Sequence, residues 1–384
     1  MKICYVSSAL GIPDQRFINK FSAKGWEVDV VALGRSAIRE TDRIRFHYLL
    51  NESSDYLLTR SEEAARYFVY PMEAAKSYIF LKKLLKEIRP DVLHGTWVQS
   101  DGFVCALNGF HPFLLMPYGS DILIQPKKSR ISRLITTYTI KKADMIACDA
   151  ENVKREIVRA TDYPEEKIAV FPRGVDLSRF RPNGEGSKIR RKLGWEDKRI
   201  VIMTRLFKPI YGIEYFLRSI PRIIESVPDT RVILCGTGPL EDEFKSFVSE
   251  SGLNEKVHFA GFVENEKLPE YLSAADLYVS CSLSDGTSIS LLEAMACGLP
   301  VVVTDVESNK EWVMNGKNGF VVPRRESFKL GQRVIELLQN DDLRKEFGKR
   351  NIQIAKRRAN WDENFEKLEG IYQQLIGPRN AQTK

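Results

Sequence analysis

The run Ser284-Asp285-Gly286-Thr287-Ser288-Ile289-Ser290-Leu291-Leu292-Glu293-Ala294-Met295-Ala296-Cys297-Gly298-Leu299-Pro300 carries two carboxylates, Asp285 and Glu293, separated by seven residues. A glycine and two hydroxyl residues follow the first. An apolar stretch around the second reads as the start of a helix. A loop running into a helix presents unbonded backbone N–H groups and the positive end of a dipole, so Gly286, Thr287, Ser288 and Ile289 suit a phosphate. Ionised carboxylates only accept hydrogen bonds, so Asp285 and Glu293 suit a ligand rich in hydroxyls. One short segment therefore holds parts for both halves of a nucleotide sugar. The plainer alternatives are a turn or cap aspartate at 285 and a first-turn carboxylate favoured by the helix dipole at 293.

Such a segment needs a scaffold, and the chain supplies one twice. Seven strand candidates, from Lys2–Ser7 to Ile168–Phe171, alternate with helical patterns such as Glu62–Ile88 and Ser129–Lys142. Six more, from Arg199–Thr204 to Gly319–Val321, follow in the second half. Strand-helix alternation of this kind predicts an α/β protein with parallel sheets covered on both faces. Ligands then bind beyond the carboxyl ends of the strands. The boundary falls at Pro172-Arg173-Gly174-Val175-Asp176, and the stretch to Gly186 reads as a linker rich in Pro, Gly and charge. The domains expected are 1–173, 174–358 and a closing helix in 359–384. That helix carries Trp361, Phe365, Leu368, Tyr372 and Leu375 on one face, and the end from Gly377 reads as frayed.

Composition narrows the function. The chain has 384 residues, 43% hydrophobic and 28% charged, with a net charge of +7. That balance allows anionic ligands or an anionic membrane surface and is too weak to argue for nucleic acid. The six cysteines, Cys4, Cys105, Cys148, Cys235, Cys281 and Cys297, lie in apolar surroundings without a C-x-x-C pair, so buried reduced thiols in a cytoplasmic protein are expected. The apolar run in Met1–Leu10 is too short for a signal-peptide core. No stretch approaches the roughly 20 apolar residues of a spanning helix, so any membrane contact is expected to be peripheral.

The landmarks, in order, are Gly11 after the first strand, Asp91-Val92-Leu93-His94, Gly119-Ser120-Asp121, Ala143-Asp144 and Phe171-Pro172-Arg173-Gly174-Val175-Asp176. Arg205-Leu206, Cys235-Gly236-Thr237-Gly238-Pro239, Phe259-Ala260-Gly261-Phe262 and the Asp285…Glu293 run complete the series. Together they resemble the retaining glycosyltransferases of family four, also called glycosyl transferases group 1, over nearly the whole chain. The resemblance implies the GT-B fold: two Rossmann-like domains facing across a cleft, acceptor side first and nucleotide-sugar side second, with the C-terminal helix crossing back to the first. It implies transfer of a hexose from a nucleotide sugar to a hydroxyl on a glycan or lipid-linked acceptor. UDP is the expected donor nucleotide and GDP the alternative. No cofactor or metal is implied, and the chain has no Asp-x-Asp pair.

The resemblance also assigns roles. Glu293 would accept the ribose hydroxyls, and Asp285, where the family usually has glutamate, would contact the donor sugar. Gly286, Thr287, Ser288 and Ile289 would turn N–H groups toward sugar and diphosphate. Arg205 would meet the diphosphate, which suits its fork of donors, or is simply a salt-bridged arginine at a strand end. The family lysine five residues later is Ile210 here, and Lys208 is either its replacement or a surface lysine. Gly11, Gly236, Gly238 and Phe262 would border the donor; the two later glycines equally suit a tight turn. Tyr118 stands where the family's H-G-S-D begins with histidine, and it cannot take over a protonatable imidazole at neutral pH. Asp121 is either functional or the cap of the next helix, and His94 either a cleft residue or a strand-end histidine. His47, His111 and His258 are read as having no carboxylate or cysteine context and are given no role.

From Ile122 to Ala143 there is no acidic residue. Ile131, Leu134, Ile135 and Tyr138 line one helical face among Lys127, Lys128, Arg130, Arg133, Lys141 and Lys142. That face suits either the core, with a solvated basic side, or anionic lipid headgroups. The rival functions are a nucleotide-sugar epimerase or phosphorylase on the same scaffold and a sugar-nucleotide-binding protein without activity.

Overall fold

The structure, a computed structural model, describes residues 1–8, 10–32, 40–48, 71–182 and 185–377. The expected start of the first long helix at Glu62, the linker residues Asn183 and Gly184 and the end beyond Gly377 lie outside them. Two units form. One comprises Met1–Phe171 together with the segment from Phe365, and the other Pro172–Asn364.

The first unit has β1 (Lys2–Val6), β2 (Glu27–Ala32), β3 (Ile44–Tyr48), β4 (Val92–Gly95), β5 (Phe113–Leu115), β6 (Met145–Cys148) and β7 (Ile168–Val170). They form one sheet in the order β3-β2-β1-β4-β5-β6-β7, every pair parallel. The second unit has β8 (Arg199–Thr204), β9 (Thr230–Cys235), β10 (Val257–Gly261), β11 (Leu277–Ser280), β12 (Val301–Thr304) and β13 (Gly319–Val322), in the order β10-β9-β8-β11-β12-β13 and again parallel. Each expected strand lies within a residue or two of an observed one.

The pattern of β8 shows why the sheets form. Val201 and Met203 join the apolar cluster on one face of the sheet, and Ile200 and Ile202 join the cluster on the other. A strand apolar at successive positions satisfies both faces only between two layers of helices. The closing helix, Trp361–Ile376, ends in the first unit. Phe365 stacks among Phe17, Phe21 and Trp26, and Tyr372 meets Phe21 edge to face at 5.5 Å.

Two expectations change. The stretch after Pro172 is not a solvated linker. Val175 and Phe180 are fully buried in the second unit, and the Val175 backbone pairs with Ala359 and Trp361. Two apolar residues five apart are too few to show a period. The helix Arg130–Lys142 is capped by Ser129, but it buries Thr136, Thr139 and Ile140 and turns Ile131, Leu134 and Tyr138 outward. The core alternative for that face is set aside.

Candidate active site

In the second unit the strand order reverses between β8 and β11. Connections leave the carboxyl ends of these neighbours in opposite directions and open a crevice, the usual ligand position in such sheets. β8 ends at Thr204 and delivers Arg205. β11 ends at Ser280 and delivers Ser282 and Asp285, and the helix Ile289–Ala296 begins just beyond. The Ser288 hydroxyl caps that helix by accepting from the Leu291 amide at 3.3 Å.

Arg205 is the hub. Its Nη1 donates to Ser288 Oγ at 2.9 Å and Ser290 Oγ at 3.1 Å. Its Nη2 donates to Ser282 Oγ at 3.2 Å and to the Asp285 carboxylate. The guanidinium carbon lies 4.0 Å from the centre of the Tyr211 ring. The side chain is only 10% exposed, and its Nε is buried without a partner among the described residues. Burial opposes the charge of Arg205, but the adjacent Asp285 outweighs it, and the guanidinium stays protonated well beyond its ordinary range. Burial raises the Asp285 carboxyl, against the opposing pull of Arg205 and the Gly286 amide. The cluster is a cation already matched by one carboxylate, set at the positive end of a helix.

The loops are held by glycine. At Gly236, φ is +153° and a Cβ would lie 2.0 Å from the Arg205 carbonyl oxygen; at Gly238 it would lie 2.5 Å from that of Phe207. Phe207 N–H donates to Thr237 O at 2.9 Å, so the loops after β8 and β9 are zipped together. Lys208, half-buried, sits on the first of these loops and opens a short turn over Pro209–Tyr211. Glu293 is 4% exposed and accepts from Asn265 Nδ2 at 3.2 Å. It is the fifth residue of its helix, so the first-turn reading does not apply. Thr287 is buried, Ile289 starts the helix half-buried, Gly286 is buried and Phe262, after β10, is exposed.

Gly11 and Tyr118 belong to the first unit, whose strand order reverses between β1 and β4. Gly11 caps the helix Ile12–Ala23, its N–H donating to Asp14 Oδ2 at 2.9 Å. Asp14 Oδ1 accepts from the Tyr5 hydroxyl at 2.6 Å and from the Tyr118 hydroxyl. Asp121 is not the N-cap residue of its helix, a position that Gly119 takes, but lies in the first turn. It is fully buried and accepts from the Val98 amide at 3.1 Å and the Tyr118 amide at 3.0 Å, joining the loops after β4 and β5. Burial pushes its pKa up to about 6, with the backbone amides opposing. Asp101, which accepts from Ser8 and Thr96, is pushed to about 6 for the same reason. His94 is buried on β4 and shares a hydrogen bond with the Tyr372 hydroxyl. His47 and His111 do have carboxylate partners, Asp29 on β2 at 2.8 Å and Asp144, just before β6, at 2.7 Å.

Sequence reasoning gave no role to Tyr211, Ser282, Ser290, Asn265 or Asp14. Ser290 stood inside the quoted run and Tyr211 beside Ile210. Asp14, three residues after Gly11, has the spacing of a reciprocal helix cap.

Residues 186–354 match the family model described as Glycosyl transferases group 1, and residues 2–150 match Glycosyl transferase 4-like. An uncharacterized glycosyltransferase of Methanocaldococcus jannaschii is 28% identical over 239 residues, which are 62% of this chain and 60% of that protein. This chain thus spans less than two thirds of that relative. Among solved structures, sucrose-phosphate synthase from Thermosynechococcus elongatus superposes with a TM-score of 0.82 at 19% identity, covering 98% of this chain and 99% of the other. HepE from Anabaena in complex with UDP-glucose gives 0.76 at 19% identity, covering 96% and 100%. At such identities the likeness is one of fold, two Rossmann-like α/β units as in GT-B enzymes.

Proposed function

The chain belongs to the glycosyl transferases group 1, and we propose that it transfers a hexose from a nucleotide sugar to a hydroxyl acceptor with retention at the anomeric carbon. The observation that carries this reading is the convergence of Arg205, Ser282, Asp285, Ser288 and Ser290 at one switch point. A buried guanidinium beside a helix N-terminus suits a diphosphate, and the nearby carboxylates suit hydroxyls.

Donor binding then exchanges partners. The diphosphate takes the Arg205 fork, with Lys208 as a second cation, and releases Asp285 to the hydroxyls of the sugar. Glu293 receives the ribose, the amides of Gly286 to Ile289 approach the phosphates and sugar, and Phe262 offers its ring to the base. Gly236 and Gly238 hold the loops that border the donor. Gly11 and Tyr118, in the first unit, keep the donor-side roles that the family resemblance implies for them. The acceptor oxygen bonds to the anomeric carbon on the face from which the phosphate leaves, and its proton passes to the departing phosphate oxygen. No protein nucleophile is needed. The protein contributes position and charge stabilisation. Because Arg205 and the helix end supply the positive charge, the reaction runs without a metal, and EDTA leaves its rate unchanged.

UDP-sugars are the proposed donors, ahead of GDP-sugars. The complex of HepE with UDP-glucose supports uridine. The acceptor is a hydroxyl on a glycan or a lipid-linked glycan, met in the cytoplasm or at the cytoplasmic face of a membrane. Among the described residues no helix is long and apolar enough to cross a membrane. The test is a donor screen by thermal shift, where a ligand at 100 times its Kd adds about 2.7 kcal/mol, followed by NMR of the product anomer. A UDP-sugar that stabilises the protein and is transferred with retention supports the reading. Conversion of donor without acceptor, dependence on free phosphate, or binding without turnover replaces it with an epimerase, a phosphorylase or an inactive binder.

A further inference from the structure

Most amphipathic helices hide their apolar side. The helix Arg130–Lys142 is mounted the other way round. Ile131 is 68%, Leu134 70% and Tyr138 38% exposed, while Thr136, Thr139 and Ile140 face inward. Tyr138 meets Phe103 edge to face at 5.8 Å, and Leu107, one turn further along the helix Asp101–Asn108, is also exposed. The apolar strip therefore continues onto a second helix. Lys127, Lys128, Arg130, Arg133, Lys141 and Lys142 are all exposed around it. Glu156, 3.6 Å from Lys127, is matched by Arg159 at 2.8 Å and leaves the basic rim in excess.

We propose that this face docks on an anionic lipid surface, Ile131 and Leu134 entering the headgroup boundary and the surrounding cations meeting lipid phosphates. It deepens the function proposed above, on which its corollary rests: the acceptor hydroxyl is carried by a lipid. Charge chooses the occupant. Apolar contact alone would suit a second copy, but a symmetric pairing would set the same cations against each other. An anionic leaflet attracts every one of them and accepts the apolar wedge as well.

The test is co-sedimentation of the full chain with phosphatidylcholine vesicles, with and without phosphatidylglycerol, at low and high salt. Wild type is expected to sediment with the anionic vesicles alone and to be released by salt. Each cation near such a surface strengthens binding roughly five-fold, so Arg130→Gln with Arg133→Gln and Lys141→Gln lowers it about a hundred-fold. Ile131→Ser with Leu134→Ser lowers it about ten-fold or more through lost apolar insertion. Both variants keep the wild-type thermal shift with donor, which shows them folded. Absence of wild-type binding to anionic vesicles overturns the proposal, as does equal binding by all three proteins. Concentration-dependent self-association abolished by Ile131→Ser with Leu134→Ser assigns the face to a second copy and overturns it too. Lost vesicle binding with intact transfer removes this inference alone; lost transfer with intact vesicle binding removes the catalytic reading alone.

Discussion

At the scale of single residues, charge in buried places decides most outcomes. If Glu293 holds the ribose as proposed, Glu293→Ala removes a charged hydrogen bond worth about 1.5–3 kcal/mol, so kcat/KM should fall roughly 10- to 150-fold. Donor kinetics like wild type would remove Glu293 from the ribose. Asp101 and Asp121 give a pH signature. Each titrates near 6 in the folded chain against an ordinary 3.8. Between those values the folded state keeps a proton that the unfolded chain has released, so stability falls as pH rises through the window, by roughly 3 kcal/mol per group. Asp29 acts in the opposite sense. Burial would raise it, but His47 and Arg45 bring it down to about 2, so its contribution is lost as pH falls below the ordinary value. Urea unfolding at pH 4.5 and 6.5 should show the pH dependence reduced in Asp121→Asn; an unchanged difference would mean that Asp121 titrates normally. The carboxylates at 285 and 293 are visible in sequence because they share one short run. Asp14 and Tyr118 are 104 residues apart, and neither residue type signals the other until β1 and β5, in one sheet, bring together the helix and the loop that follow them.

At the scale of elements, the site depends on loops that cannot tolerate bulk and on one helix cap. Gly236→Ala would drive a methyl group onto the Arg205 carbonyl and force the zipped loops apart, a strain of about 1–3 kcal/mol. Donor affinity should drop with it; unchanged affinity in a titration would show that the loops relax without cost. Ser288→Ala removes both the cap and a partner of Arg205. It should destabilise by about 1 kcal/mol, a fall in Tm of roughly 2–4 °C for a unit of this size, and weaken donor binding further. The strands were legible because a parallel sheet demands continuous apolar runs bounded by turns, as in β8 and β12. The orientation of the helix Arg130–Lys142 was not. Periodicity reports that a helix has two faces, while the neighbours decide which one is covered. Here the residues turned inward are mainly threonine.

At the scale of the whole molecule, the two units share one continuous helix, which starts in the second and finishes in the first. Ending the chain after Asn364 removes Phe365, Leu368, Ile371 and Tyr372 from the first unit's core, about 6–12 kcal/mol of burial. That rivals the entire stability of a domain. The first unit should become protease-sensitive while the second still gives a donor-dependent thermal shift; a truncated chain as resistant as wild type would contradict the packing. The closing helix was visible as an apolar stripe, but its partner was not, since Phe17, Phe21 and Trp26 precede it by more than 300 residues. The thiols add one more consequence. Cys4, Cys105 and Cys148 lie in the first unit and Cys235, Cys281 and Cys297 in the second, all unpaired and buried. A maleimide added to the native protein should find nothing to label, and each modified peptide that appears with time clocks the opening of the unit that carries it. Nature has equally distributed a built-in set of stopwatches between the two halves of the chain.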